Sequence, residues 1–491
     1  MKLAMIRTSP ISVRAAASML ILGLCSACST VGPNYERPQL ELPANWKALP
    51  AADESRWHIA APADAAPRHD WWVVYGDPVL NDLMDRCVAR NYSLQAALTR
   101  LDLAQAQIAI RGAAGTPQVQ AGATAQRSRI SADRPLANYA VPNQSTVQND
   151  FKPSLSVSYE FDWLGRIRRD VEGARASAEQ TQADIENLRL LLTAQLASSY
   201  FTLRQADQEQ EVVQANLVLQ RKVLDLQVKR HQLGSATQVD LEQQQALITS
   251  TQAQLDLLKA QRAQQENAIA TLTGTPAAEF TLSASDRVTA VPALPAGLPS
   301  TLLERRPDVA SAERAMAAAN AQIGVNQAAR YPNLMLAPNV GGFESNTLSH
   351  LISTPALIWS LGIGSSMTLF DGGRIDASVN QAKAAYAGTV ASYRQTVLAA
   401  VEETQTALSN LQQMAQAVRD QDESVRHQDR AFQIGLLRYR EGLDNTLQLA
   451  VSEQNLLTAQ RSQTQLHGTQ LQYSVTLIKA LGGGWAGLHQ P

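Results

Sequence analysis

The chain has 491 residues, with 42 Lys and Arg against 44 Asp and Glu, a net charge of −2, and only 5% aromatic residues. That length allows two to four domains, and the near-neutral charge gives no footing for a nucleic-acid partner. The 3 cysteines cannot make a disulfide scaffold, and no run of 18 apolar residues predicts a helix that crosses a bilayer.

Lys2, Arg7 and Arg14 precede a short apolar run, Ala15 to Leu24, which ends in Cys25-Ser26-Ala27-Cys28. This is the layout of a signal peptide rather than a spanning helix. The small residues before Cys28 match a lipoprotein cleavage box, whereas Leu24 before Cys25 is bulky. Residues 1–27 are therefore expected to be removed, with Cys28 as the acylated first residue. The covalent lipid on Cys28 is the one prosthetic group expected; no other cofactor is. Cys87 falls in an apolar-periodic segment and is expected in the core. Residues 28–79, with many Pro and Ala, read as lipid anchor and strap.

Two copies of one unit follow, 80–274 and 307–482, joined by a Pro-rich linker, 275–306. Phe161-Asp162-Trp163-Leu164-Gly165-Arg166-Ile167 recurs as Phe370-Asp371-Gly372-Gly373-Arg374-Ile375. Gly165, Gly234 and Gly274 each precede a matching Gly373, Gly442 and Gly482 by 208 residues. Ala104, Gln107 and Pro117 precede Ala319, Gln322 and Pro332 by 215.

Each copy opens with a helix, roughly 80–112 and 307–329. Strand pairs follow, 117–127 with 154–163 and 333–343 with 357–369. Residues 154–163 alternate strictly: Leu155, Val157, Tyr159, Phe161 and Trp163 on one face, Ser154, Ser156, Ser158, Glu160 and Asp162 on the other. Such alternation is the mark of an outer-membrane barrel wall or of a soluble sheet with one wet face. Each copy then ends in a long helical hairpin. Ala174 to Leu233 contains neither Gly nor Pro, and Leu411, Val418, Val425 and Phe432 step by seven, as do Leu241, Ile248 and Leu255. A helix over about 165–231 would be ~100 Å long, more than a compact globule holds. Gly234 and Gly442 are expected to cap the hairpins at their tips. The last residues, 483–491, form a tail.

Four strands cannot close a membrane barrel, and open edges in lipid leave backbone groups unpaired. Three chains would supply twelve strands, two only eight. The expected fold class is thus mostly α with membrane β: long helices beneath a shared barrel.

Val31-Gly32-Pro33-Asn34-Tyr35-Glu36-Arg37-Pro38, Trp71-Trp72, Gly76-Asp77-Pro78-Val79-Leu80, Tyr159 to Arg166 and Leu303-Glu304-Arg305-Arg306-Pro307-Asp308 resemble the lipid-anchored, NodT-like branch of the TolC-type outer-membrane efflux channels. The resemblance covers essentially the whole mature chain. It implies a homotrimer with a 12-stranded barrel in outer-membrane lipid over a helical periplasmic tunnel. It also implies two partners, a periplasmic adaptor (membrane-fusion) protein and an inner-membrane pump of the resistance-nodulation-division type.

By that resemblance the tips Leu233-Gly234-Ser235 and Glu441-Gly442-Leu443 meet the adaptor. Asp240, six residues past the first tip Gly, and Tyr439, three before the second, would hydrogen-bond between hairpins as a periplasmic gate. The acids that related channels carry past the second tip are replaced here by Gln448 and Val451. Glu242, Asp444 and Glu453, with Asp240, are the remaining candidates for an acidic aperture; for each, a solvated helix face is the plainer alternative.

The 7 His are scattered without metal-ligand spacing, and neither a phosphate loop nor a nucleophile elbow is present, so no enzyme is expected. The rivals are a lipid-anchored periplasmic adaptor and a coiled-coil envelope scaffold. An adaptor would need one hairpin flanked by soluble β-domains.

Overall fold

A computed structural model describes residues 30–38, 70–133, 145–285, 289–292, 306–336 and 339–483. The signal peptide, Cys28, strap residues 39–69 and tail residues 484–491 lie outside the described residues. In order come a 3₁₀ turn (Trp71–Tyr75), α1 (Pro78–Arg90), α2 (Tyr92–Ala113), β1 (Gln118–Ile130), β2 (Thr146–Glu160), α3 (Arg166–Gln232) and α4 (Gln238–Leu272). Then follow α5 (Pro307–Ala328), β3 (Asn333–Leu336), β4 (Asn339–Phe343), β5 (Leu357–Ser360), β6 (Ile363–Ser366), α6 (Arg374–Arg440) and α7 (Thr446–Ala480).

The duplication is explicit in the helix lengths. α3 and α6 both have 67 residues, α4 and α7 both have 35, and α2 and α5 both have 22. Yet the compact units do not follow the repeats. One draws on Met1–Pro38, Leu101–Gln180 and Glu313–Ala391; the other on Gln39–Arg100, Thr181–Ala312 and Ser392–Pro491. Each unit takes corresponding parts of both copies, because a 67-residue helix cannot fold back within its own repeat.

The first unit holds the sheet. β1 and β2 pair antiparallel from Gln118↔Ser158 to Ile130↔Thr146. β2 then pairs with β4 (Ser154↔Gly342) and β3 (Tyr159↔Leu336), which pair with β5 and β6. The expected pair 333–343 and 357–369 is therefore found as four short segments. Pairing shifts register between Asn339 and Gly342, and a gap at Leu361-Gly362 divides the outer strand; glycine weakens a strand at such points. The strands also stop short of 163 and 369. Asp162 accepts from the backbone of Ile167 and Arg168, both at 3.0 Å, and Asp371 from Arg374 at 3.1 Å and Ile375 at 2.9 Å. Those carboxylates start α3 and α6, and side chain–backbone bonds of this kind compete with strand extension.

The second unit has the main core, built from Trp71, Trp72, Tyr75, Leu80, Leu83, Met84, Tyr200, Phe201, Leu203, Ile269, Val475 and Ile478. Cys87 is a free thiol within it, as expected, and burial pushes its pKa up to about 11. Of the heptad positions, Ile248, Leu255, Val418 and Phe432 are buried.

The Gly76-Asp77-Pro78 motif is a helix start. Asp77 Oδ1 accepts from the backbone of Val79 (3.0 Å) and Leu80 (3.3 Å), Pro78 takes the first helical position, and Oδ2 accepts from the Tyr200 hydroxyl at 2.7 Å. The single expected helix 80–112 is broken at Asn91. Its backbone N–H closes α1 on the Cys87 carbonyl, its Oδ1 accepts from Ser93, and its amide donates to the Leu272 carbonyl.

The linker is tied down over residues 282–283. Arg204 donates to the Ser283 carbonyl at 2.7 Å, and Glu266 accepts from the Leu282 backbone at 2.6 Å. Asp207 bridges Arg204 and Arg262 at 3.0 and 2.6 Å.

Candidate functional site

Each tip is built by the same local rules. Gly234 and Gly442 adopt φ of +77° and +74°. The next N–H reaches back five residues: Ser235 to the Arg230 carbonyl (2.8 Å), Leu443 to that of Arg438 (2.9 Å). This left-handed cap needs glycine because a Cβ is penalised there. No other atom lies within 4 Å of where that Cβ would be at either glycine. Leu233 and Leu443 are 82% and 67% exposed, so each turn presents an apolar side chain outward.

The gate expected between Asp240 and Tyr439 is not formed within the chain. Asp240 caps its own helix: Oδ2 accepts from Thr237 N (2.8 Å) and Oγ1 (2.7 Å), while Asp240 N donates to Thr237 Oγ1. This capping box holds the Asp240 carboxyl below the usual carboxylate range. Gln448, 208 residues on, takes the same place in the second hairpin, its N–H donating to Asn445 Oδ1 at 2.9 Å. The loss of an acid there thus leaves a working cap.

Tyr439 is 2% exposed and its hydroxyl has no hydrogen-bond partner among the described residues. Its ring packs with Phe432, Leu449 and Val223. Arg230, unforeseen from sequence, lies 4.7 Å over that ring and donates to the Tyr439 carbonyl at 3.0 Å. It also contributes to lowering the Asp240 carboxyl.

The candidate aperture acids separate in the structure. Glu242 is exposed and accepts from Gln238 at 2.9 Å. Asp444 is an ion-pair partner of Arg438 at 2.8 Å, which lowers its carboxyl. Glu453 is not on a solvated face: it is 0% exposed, its carboxylate oxygens lack a hydrogen bond of normal geometry, and the Gln244 side chain offsets the effect of burial only in part. Burial pushes its pKa up to about 7. Helix α7 turns this position inward with Leu449, Leu456 and Leu457.

A second built feature belongs to the first unit. The Val31–Tyr35 motif is seated there by the buried Arg169, which donates to the carbonyls of Val31 (3.2 Å) and Gly32 (3.3 Å) and to Asn34 Oδ1 (2.8 Å). Asn320 donates to the Pro33 carbonyl at 2.9 Å, and Tyr35 Oη to Glu313 at 2.6 Å. Gly32 has φ +100°, and a Cβ there would stand 2.5 Å from Gly324 Cα. The close approach was unforeseen from sequence; an isolated Gly324 inside α5 is the signal that could have pointed to it.

No helix among the described residues is long and apolar enough to cross a membrane, and no cluster of metal-ligating side chains occurs among them. Paired strands feeding two equal long hairpins define a TolC-like outer-membrane channel. The family model for "outer membrane efflux protein" matches residues 83–275 and 298–483, and the chain belongs to that family. It is 33% identical to the pyoverdine export outer membrane protein OpmQ of Pseudomonas putida over 460 residues, 94% of this chain and 95% of that protein. It is 29% identical to the toluene efflux pump outer membrane protein TtgC of P. putida, across 96% and 95% of the two chains. The solved outer-membrane channel OprN superposes with a TM-score of 0.83 at 30% identity, covering 93% of this chain and all of that one. VceC of Vibrio cholerae superposes at 0.76 with 28% identity, covering 86% of this chain and 100% of VceC. The protein is thus an outer-membrane efflux channel, not an enzyme, and it works with efflux-pump partners.

Proposed function

We propose that three copies assemble into one passive conduit that carries small molecules from a resistance-nodulation-division pump and a periplasmic adaptor to the cell exterior. The observation that carries this is the sheet. Its six strands lie four across, β1, β2, β3/β4 and β5/β6, and among the described residues β1 and β5/β6 each pair along one edge only. Trp359, Leu361 and Ile363 on the outer strand are 73%, 73% and 80% exposed. A lipid-facing sheet with open edges is untenable; sister copies pairing edge to edge satisfy both demands.

Cys28 carries the lipid in this reading and gives a second hold on the membrane. The adaptor docks at Leu233-Gly234-Ser235 and Glu441-Gly442-Leu443. OpmQ and TtgC are named for unlike cargo, which fits a duct whose lining does not encode what passes.

The test is Gly234→Leu together with Gly442→Leu, expressed with the cognate pump and adaptor. Trimers are expected to survive mild detergent, while export and adaptor cross-linking at the tips are lost. Monomeric protein after mild extraction, or undiminished cross-linking in the variant, overturns the proposal.

A further inference from the structure

The hairpin interior near the tips carries a buried seam of polar side chains. Asn216, Gln220 and Gln227 on α3, Gln244 and Thr251 on α4 and Glu453 on α7 are all 5% exposed or less. The amide donors of Gln220 and Gln244 and the Thr251 hydroxyl are engaged, whereas Gln227 leaves its Nε2 unpaired as well as its Oε1. Gln220 Nε2 donates to Thr251 Oγ1 at 3.1 Å, Thr251 donates to the Leu247 carbonyl, and Gln244 Nε2 donates to the Gln220 carbonyl at 3.3 Å. The acceptors are left over: Asn216 Oδ1, Gln220 Oε1, Gln227 Oε1 and both oxygens of Glu453. Unpaired oxygens outnumber unpaired nitrogens in the seam; a carboxylate adds only acceptors to it, whereas a neutral carboxylic acid adds a donor.

Among the described residues no charged side chain pairs with Glu453. Arg221, Lys222 and Asp225 on α3, Glu242 on α4, and Asp429, Arg430 and Arg438 on α6 are all exposed. Arg230 is held by Tyr439 and Asp240 by Thr237. The residues flanking Glu453 on α7, Leu449, Leu456 and Leu457, pack with Val223 on α3, Ile248 on α4 and Phe432 on α6. The Gln244 side chain offsets the effect of burial only in part.

We propose that Glu453 is a proton-operated latch: as a neutral acid it lets α7 pack on α3 and α4, and as a carboxylate it forces that packing open. An ionised carboxylate without a partner is costly inside a protein, so the chain either keeps the proton or admits water. Burial is complete within one chain, so the latch needs neither sister copies nor pump. Its midpoint falls near neutrality, where the carboxyl titrates. Rising pH loosens the tip-proximal part of α7, next to the turn Glu441-Gly442-Leu443.

The test is amide hydrogen exchange of the full-length protein in detergent at pH 5.5 and 8.5, corrected for intrinsic exchange. Protection of α7 amides around residues 449–460 is expected to fall about tenfold or more at the higher pH, as a linked ionisation requires, with α2 as the unchanged internal reference. Glu453→Gln is expected to stay protected at both values, and Glu453→Asp to keep the pH dependence. If Glu453→Gln does not fold, Glu453→Met, also uncharged, replaces it. A wild type without pH dependence, or an uncharged variant that follows the wild type, overturns the proposal.

Discussion

The guanidinium of Arg230 covers the ring of Tyr439 at 4.7 Å and donates to that residue's own carbonyl at 3.0 Å. One side chain on α3 thereby fastens both the ring and the backbone of the last turn of α6. Tyr439 in turn packs on Leu449 of α7. The tip of the first hairpin is thus tied to the second through Arg230, while the Asp240 carboxyl reaches Thr446 at the start of α7 rather than Tyr439.

Arg230→Ala removes a cation–π contact and a charge-assisted hydrogen bond, together about 2 kcal/mol. Purified protein in planar bilayers is expected to show higher single-channel conductance. Asp240→Ala removes a capping box worth about 1 kcal/mol and is expected to change conductance less. Equal currents from the two variants would restore Asp240 to the role of gate.

Stability should depend on pH with opposite signs at two acids. The Glu453 carboxyl is raised to about 7 in the folded chain from an ordinary 4.5. The folded state therefore binds more protons over that window, and stability falls as pH rises through it, levelling off above 7. Asp240 is lowered, so its contribution is present above the ordinary carboxylate value and is lost only as pH falls below it. Thermal unfolding followed by circular dichroism should give a lower Tm at pH 8 than at pH 5.5, a difference that Glu453→Gln abolishes.

Tyr200→Phe deletes the hydroxyl that donates to Asp77 at 2.7 Å. The loss should be about 1–2 kcal/mol. Asp77→Ala removes that acceptor and the α1 cap together and should cost about 2–3 kcal/mol. Denaturant midpoints should rank wild type above Tyr200→Phe above Asp77→Ala.

Gly32→Ala places a methyl group against Gly324 and forces a disfavoured φ. Arg169→Ala strips donors from two carbonyls and Asn34. Both should free the Val31–Tyr35 segment, seen as protease cleavage within residues 31–38 at concentrations that spare the wild type.

The repeat, the hairpin tips and the helix lengths were open to inspection because local rules write them: a Gly where φ must be positive, no Pro where a helix must run, and matching residues at a constant offset. Leu233-Gly234-Ser235 and Glu441-Gly442-Leu443 fall where they were expected for that reason. The second strand pair was less legible. Its glycines break the ladder, and the aromatic residues just past Glu160 keep alternating although Asp162 has already turned the chain into α3.

Sequence by itself determined the class of this protein, the order of its elements and the glycines on which its turns depend. Tertiary structure decided which acids see water. Glu242 and Glu453 are both acids beside a tip on helices of similar pattern, yet one is exposed and the other is buried among glutamines. Which face of a helix turns inward depends on the neighbouring helices it packs against, and those neighbours come from the other repeat, some two hundred residues away. Separations of 209 and 138 residues likewise hid Arg230 over Tyr439 and Arg169 under Val31, because an arginine's partner is chosen by packing and leaves no spacing to read.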